Sequence, residues 1–323
     1  NYAVVYKKQG KDPNEKKMTK PEITPIVSNR DVASPFLTSI QENAVKPIEP
    51  VFLDFKKDMS QLTAKSDIPV LYKQNTTNDL FQLIYVFDMG NNNDKALGTA
   101  FDYLEYLGTS DMTPEELKSE FYRLACTFYV SPGNERTYVV LSGLNENMPA
   151  AMQLFEKLLA DAQVNKEAYN NLVGDILKAR ADAKLNQGQN FSRLMNYAMY
   201  GPKSPTTNLL TEAELASMNP QELVDRIHNQ NNYKHRILYY GPSSSKDLLA
   251  TIDQYHQVPA TLKDIPAGNE FSYLETPATK VLVAPYEAKQ IYMAQISNLD
   301  KKYDPAIEPT RELYNEYFGG GMN

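Results

Sequence analysis

A strand–strand–helix order is written twice in this chain of 323 residues. The first copy has apolar and aromatic runs at Ile68–Tyr72 and Leu80–Phe87, then a helical pattern from about Asp94. The second has Lys280–Val283, Ile291–Ile296 and a helical pattern over Pro309–Phe318. Short apolar runs between polar turns read as strands, and the spacing of Leu97, Ala100, Phe101, Leu104 and Leu107 reads as one buried helix face. Self-similarity of this kind marks repeated units, each of which buries its apolar face within the repeat or against a neighbour. The opening run Tyr2–Tyr6 echoes Arg236–Tyr240, a strand late in the first full copy. The expected organisation is therefore the last strand of a preceding repeat at 1–8, an extended linker at 9–67 and a complete repeat at 68–257. A second linker at 258–278 and the start of a further, truncated repeat at 279–323 complete it. Pro13, Pro21, Pro25, Pro35, Pro47 and Pro50 punctuate the long linker, each lacking an amide donor and restricting the residue before it. The fold class this implies is α+β, with repeated units of mainly antiparallel sheet covered on one face by helices.

Inside the complete repeat the punctuation is explicit. The two opening strands are joined through Asn75–Asn78. Thr113-Pro114-Glu115-Glu116 is a capping box with proline at the first helical position. Phe121–Val130 and Arg136–Leu141 read as a hairpin around the Ser131–Asn134 turn. Helices are expected over Met148–Ala160, Lys166–Lys184 and Asn190–Met199, with further starts at Thr211 and Asn219. His235–Tyr240 reads as a strand and Lys246–Tyr255 as a helix.

Composition excludes several functions. The formal net charge is -7, with Lys and Arg dispersed, which argues against a nucleic-acid partner. No apolar run reaches membrane-spanning length, so the chain is not expected to be transmembrane. Cys126 is the single cysteine, so no internal disulfide forms, and its apolar surroundings read as a buried small side chain. His228, His235 and His256 lack the paired spacing of a metal site; His235 reads as a satisfied core or edge residue and His256 as a loop residue. Ser131 has no nucleophile-elbow context, and Gly319-Gly320-Gly321 reads as a helix C-terminus.

The stretch Gly98–Thr109, GTAFDYLEYLGT, has the spacing of an inverted-zincin helix, H-x-x-E-H. Asp102 and Tyr106 stand at the two ligand positions and Glu105 at the glutamate. Two imidazoles one helical turn apart bind Zn2+, and the glutamate between them activates water. A hard carboxylate and a protonated phenol do not reproduce that pair. Asp102, Glu105 and Tyr106 are thus degenerate motif positions on a packing helix, with no catalytic or metal-ligating residue expected here.

The phrases FQLIYVFDMG, LGTAFDYLEYLGTSDMTPEEL, SPGNERTYVVLSGLNENMPAAMQLFEKLL and YFGGGMN resemble the second half of insulinase/pitrilysin-family zinc metallopeptidases. The resemblance runs from about Ile68 to the last residue. It implies a clamshell in which a catalytic half of the same protein holds zinc and this non-catalytic C-terminal half encloses peptide or unfolded polypeptide. The parent would be a zinc-dependent endopeptidase and this segment itself inactive, with no cofactor of its own. The family's distal zinc-binding glutamate would fall near Val173–Asp182, where Glu167, Asp175 and Asp182 read as a solvated face. The bacterial relatives imply an extracytoplasmic, periplasmic setting. The alternative is a catalytically dead scaffold subunit of a larger complex with the same fold.

Overall fold

The structure is a computed structural model that describes residues 3–6, 10, 16, 18–24, 32–288, 290–298 and 303–319. The chain divides into two units, 1–52 and 53–323. In the first, the short helix α1, Pro35–Gln41, starts where Ser34 Oγ accepts the Leu37 amide at 3.1 Å. The described residues Ala3–Tyr6 join no sheet, so the strand expected at the start is not formed there; Tyr2 lies outside the described residues. An isolated extended segment has no ladder to satisfy its backbone.

The second unit is built on six strands: β1 Ser60–Ala64, β2 Ile68–Gln74, β3 Leu80–Phe87, β4 Cys126–Pro132, β5 Thr137–Leu144 and β6 Arg236–Gly241. They lie in the order β1-β2-β6-β3-β5-β4. All neighbours are antiparallel except β2 and β6. One sequence expectation is corrected here: the segment 60–64, read as linker, is an edge strand. The opening strands β2 and β3, joined through Asn75–Asn78, do not pair with each other, because β6 lies between them and pairs with both. Their local connection says nothing about adjacency once a later strand of matching pattern can satisfy both edges.

Alternation decides which side faces the core. The register aligns Leu62, Val70, Ile237, Tyr85, Val139 and Val130 in one row across all six strands. The next row on that side carries Tyr72, Tyr239, Leu83, Leu141 and Phe128. The Tyr72 and Tyr239 rings stack at 5.8 Å with an interplanar angle of 6°.

Helices α2 Leu97–Leu104, α3 Pro114–Arg123, α4 Met148–Asp161 and α9 Ser245–Tyr255 pack against the strands. Helices α5 Lys166–Lys184, α6 Gln187–Tyr200, α7 Glu212–Ser217 and α8 Pro220–Asn229 pack on other helices, α5 and α8 on α2, and α6 and α7 on α5. The expected apolar face of α2 is buried: Leu97, Ala100, Phe101 and Leu104, with Leu107 just beyond. The capping boxes at Thr113 and Thr211 form, and Asn219 caps α8. The strand after α3 begins later than its apolar content indicates, because Phe121 lies on the buried face of α3.

Beyond α9 the chain is mostly extended until α10, Glu308–Gly319. The expected strands Lys280–Val283 and Ile291–Ile296 form no ladder; Val283, Ile291 and Met293 are exposed. Part of this tail follows α6, with Tyr273 stacked on Tyr200 and Tyr292 against Phe191. The expected helix is present as α10, though Gly320 and Gly321 lie outside the described residues.

Candidate functional site

Helix α2 carries the degenerate motif, and it ends inside it. Glu105 is the C-cap, and Tyr106 and Leu107 donate to the carbonyls of Tyr103 and Leu104 at 3.0 and 3.1 Å. These are three-residue spacings, so the last turn tightens. Asp102 and Tyr106 therefore do not share a continuous α-helical turn, the geometry that presents two ligands to one ion. Asp102, Glu105 and Tyr106 are all exposed, whereas Phe101, Tyr103, Leu104 and Leu107 are buried. Burial of part of its surroundings raises the Asp102 carboxyl above its ordinary value, with the Glu105 charge second, even though the residue keeps an open side to solvent. Two carboxylates and a phenol at a frayed helix end do not fit a peptidase zinc. Glu167, Asp175 and Asp182 are exposed on α5, as the sequence indicates. Among the described residues, no group of three His, Cys, Asp or Glu side chains is arranged to hold a metal ion.

Gly108, after the motif, is fixed by close packing: a Cβ there would stand 2.3 Å from the Met112 carbonyl oxygen. That carbonyl accepts the Thr109 amide at 2.9 Å, which reverses the chain into the Thr113 cap of α3. The glycine thus serves the turn after α2, and the helix itself stops at Leu104, about one turn before Gly108, where the repeat comparison places its end.

The side of the sheet away from the helices carries another aligned row, Gln61, Leu71, Leu238, Ile84, Val140 and Tyr129. Its flanking rows are mixed: Lys73, Tyr240, Gln82, Ser142 and Thr127 on one side, and Arg236, Val86, Tyr138 and Ser131 on the other. The row ends at the edge strand β4, where Tyr129 is 52% exposed. Asp88 lies beside this face and is held by Arg236 and Arg136, whose guanidinium hydrogen bonds lower its carboxyl below the usual range. An apolar row between hydrogen-bonding rows, ending at an unpaired strand edge, suits an extended polypeptide.

The sequence did not reveal a second constellation. His235, just before β6, and His256, which caps the C-terminus of α9, meet with Nε2 atoms 2.8 Å apart. His256 Nδ1 lies 2.6 Å from Glu156 Oε1 on α4. Glu156 also accepts from Tyr85 OH at 3.1 Å, Asn231 Nδ2 at 2.9 Å and the Gln257 amide at 3.1 Å. His235 Nδ1 is 2.7 Å from the Tyr233 carbonyl oxygen. His228 stays apart, its Nε2 against the Ala162 carbonyl. His235 is satisfied, as the sequence indicates; His256 lies just past α9, outside any helix or strand as the sequence indicates, yet it is fully buried and paired. A signal was present in α4: Glu156 falls in helical step with Met152 and Leu159 on the apolar face, where an unpaired carboxylate would be costly.

No protein-family model and no curated protein sequence matches the chain. Solved structures do match in fold. The periplasmic protease PqqL from Escherichia coli aligns with a TM-score of 0.60 at 14% identity, over 77% of this chain and 31% of that one. The peptidase M16 inactive domain from Pseudomonas fluorescens aligns with a TM-score of 0.54 at 15% identity, over 67% of this chain and 53% of that one. A protease from Helicobacter pylori aligns with a TM-score of 0.53 at 10% identity, over 67% and 54% respectively. The chain spans between about a third and about half of the length of these proteins. Its fold is that of M16-type peptidase domains, an α+β scaffold of the insulinase/pitrilysin kind.

Proposed function

We propose that this chain is the non-catalytic half of a zinc-dependent peptidase of the insulinase/pitrilysin type. Its role is to enclose and position a peptide or unfolded polypeptide, while a zinc site in the other half hydrolyses it. The observation that carries this reading is the end of α2. The two ligand positions of the motif hold Asp102 and Tyr106, on a fold shared with an inactive peptidase domain. The sheet supplies what such a half needs. Its open face presents the half-buried Leu71, Leu238 and Ile84 in register, continued by the buried Val140 to Tyr129 on the edge strand β4. Backbone pairing at a strand edge gives affinity with little demand on sequence, which suits a varied substrate. Ferredoxin bound to the protease FusC, another structural neighbour at a TM-score of 0.58 and 11% identity, is an instance of a protein in complex with such a scaffold.

The test is elemental analysis and a peptide-hydrolysis assay on the purified chain after treatment with chelator and readdition of zinc. The expected result is no stoichiometric zinc and no hydrolysis. One tightly held zinc per chain, with hydrolysis abolished by Glu105→Gln, would overturn the reading. Binding of a labelled, reduced and alkylated polypeptide by fluorescence anisotropy separates this role from that of a scaffold without substrate contact, which would leave the anisotropy unchanged.

A further inference from the structure

The hydrogen-bond directions around His235, His256 and Glu156 follow from which atoms can only accept. The Tyr233 carbonyl oxygen accepts, so His235 Nδ1 carries a hydrogen. A neutral His235 then has a lone pair on Nε2, and that atom accepts from His256 Nε2–H. The remaining contact, His256 Nδ1 to Glu156 Oε1, holds one proton. Three other donors, from Tyr85, Asn231 and Gln257, converge on the two Glu156 oxygens, so the carboxyl group that holds the His256 ring is itself held from three sides. In the ring-to-ring contact, His235 Nε2 is the atom left without a hydrogen. A further proton there places N–H against N–H across 2.8 Å, and the contact must open.

What the contact holds together is equally specific. His256 ends α9, and Gln257 donates directly to Glu156. The strap that follows returns to the turn before β6 through Lys263, whose amide donates to the Asn232 carbonyl at 2.7 Å. Val258, Leu262 and Ile265 pack on the core from that strap. The groups facing the histidine pair are Glu156 from α4, Tyr85 and Phe87 from β3, and Asn231 from the turn before β6. Among the described residues, no lysine or arginine is hydrogen-bonded to Glu156, His235 or His256.

We propose that Glu156, His256 and His235 form an acid-released latch: proton uptake by His235 parts the two rings and frees the strap 257–265 from the turn before β6. Burial, with the His256 charge second, lowers His235 to about 4 from an ordinary value of 6.5. An imidazole freed by opening takes up its proton near the ordinary value, so the opening constant rises roughly tenfold per pH unit between about pH 6 and pH 4.5.

Amide hydrogen exchange on the whole chain, corrected for intrinsic rates, tests this at Gln257 and Lys263. Protection there is expected to fall roughly tenfold per pH unit over that range, and to stay below the protection of Ile84 at every pH. A flat profile overturns the latch, and so does equal protection at Gln257 and Ile84, which would mean that only the whole unit opens. His235→Gln keeps a neutral acceptor for His256 and should remove the slope; an unchanged slope overturns the assignment. Imidazole 15N shifts of the unmodified protein provide a reading that needs no variant. His235 should show Nδ1–H with a bare Nε2 at neutral pH and gain a proton as protection falls. The opposite tautomer, or a His235 that stays neutral while the strap opens, overturns the proposal.

Discussion

His256 Nδ1 lies 2.6 Å from Glu156 Oε1, and neither side chain is exposed to solvent. The pair joins the end of α9 to α4, and its further hydrogen-bond partners are Tyr85 on β3, Asn231 and His235 before β6, and the Gln257 amide just after α9. Removing one partner leaves the other buried with its hydrogen bonds unmade. Glu156→Ala should therefore destabilise the chain by about 3–5 kcal/mol, read from urea unfolding. A loss under about 1 kcal/mol would mean that water replaces the carboxylate freely.

Stability should depend on pH through His235. The folded chain resists protonation of this ring down to about 4, whereas the unfolded chain accepts the proton near 6.5. The unfolded state then holds more protons between these values, so stability falls as pH drops through that window. It is fully present above about 6.5. The loss approaches about 3 kcal/mol once the pH is below 4. Urea midpoints measured from pH 7 to pH 4 check the sign, and His235→Gln should flatten the curve.

Leu104 is 1% exposed on α2, so Leu104→Ala should cost about 2–5 kcal/mol. A thermal midpoint unchanged by this substitution would show that α2 does not pack as described. Asp102→Ala, on the exposed side of the same helix, should move stability by less than about 0.5 kcal/mol. The contrast between the two substitutions separates a packing helix from a site.

Thr113 caps α3 with its side-chain oxygen on the Glu116 amide, and Glu116 returns a bond to the Thr113 amide. Thr113→Ala should cost about 1 kcal/mol, measurable as a lower urea midpoint with an unchanged slope.

Exchange should be fast at Ile291–Ile296, which forms no ladder, and slow at Leu83–Phe87, which pairs with β5 and β6. Equal protection would show that a partner covers the second segment.

Local signals in the sequence carried the elements well. The capping boxes at Thr113 and Thr211, the apolar face of α2 and the alternation of β3 all involve residues close in sequence, and each appears in the structure. Pairings between distant segments were not legible. Nothing local distinguishes β2 next to β3 from β2 and β3 on either side of β6, since all three present alternating apolar residues. The edge strand at Ser60–Ala64 was missed because Ser60, Gln61 and Thr63 carry little apolar signal. The meeting of His235, His256 and Glu156 was hidden for the same reason: the three residues lie on separate elements. The exposed placement of Asp102, Glu105 and Tyr106 was legible, because the buried residues between them already define the helix face.

The position of β6 also sets the order in which the molecule can assemble. β2 and β3 are made early, yet the strand that joins them comes after α8. A chain emerging from the ribosome must carry two unpaired strand edges through the synthesis of seven helices before its sheet can close. Such high contact order slows folding and leaves edges open to pairing with other chains. Nascent forms that end before Arg236 are therefore the ones most in need of a chaperone.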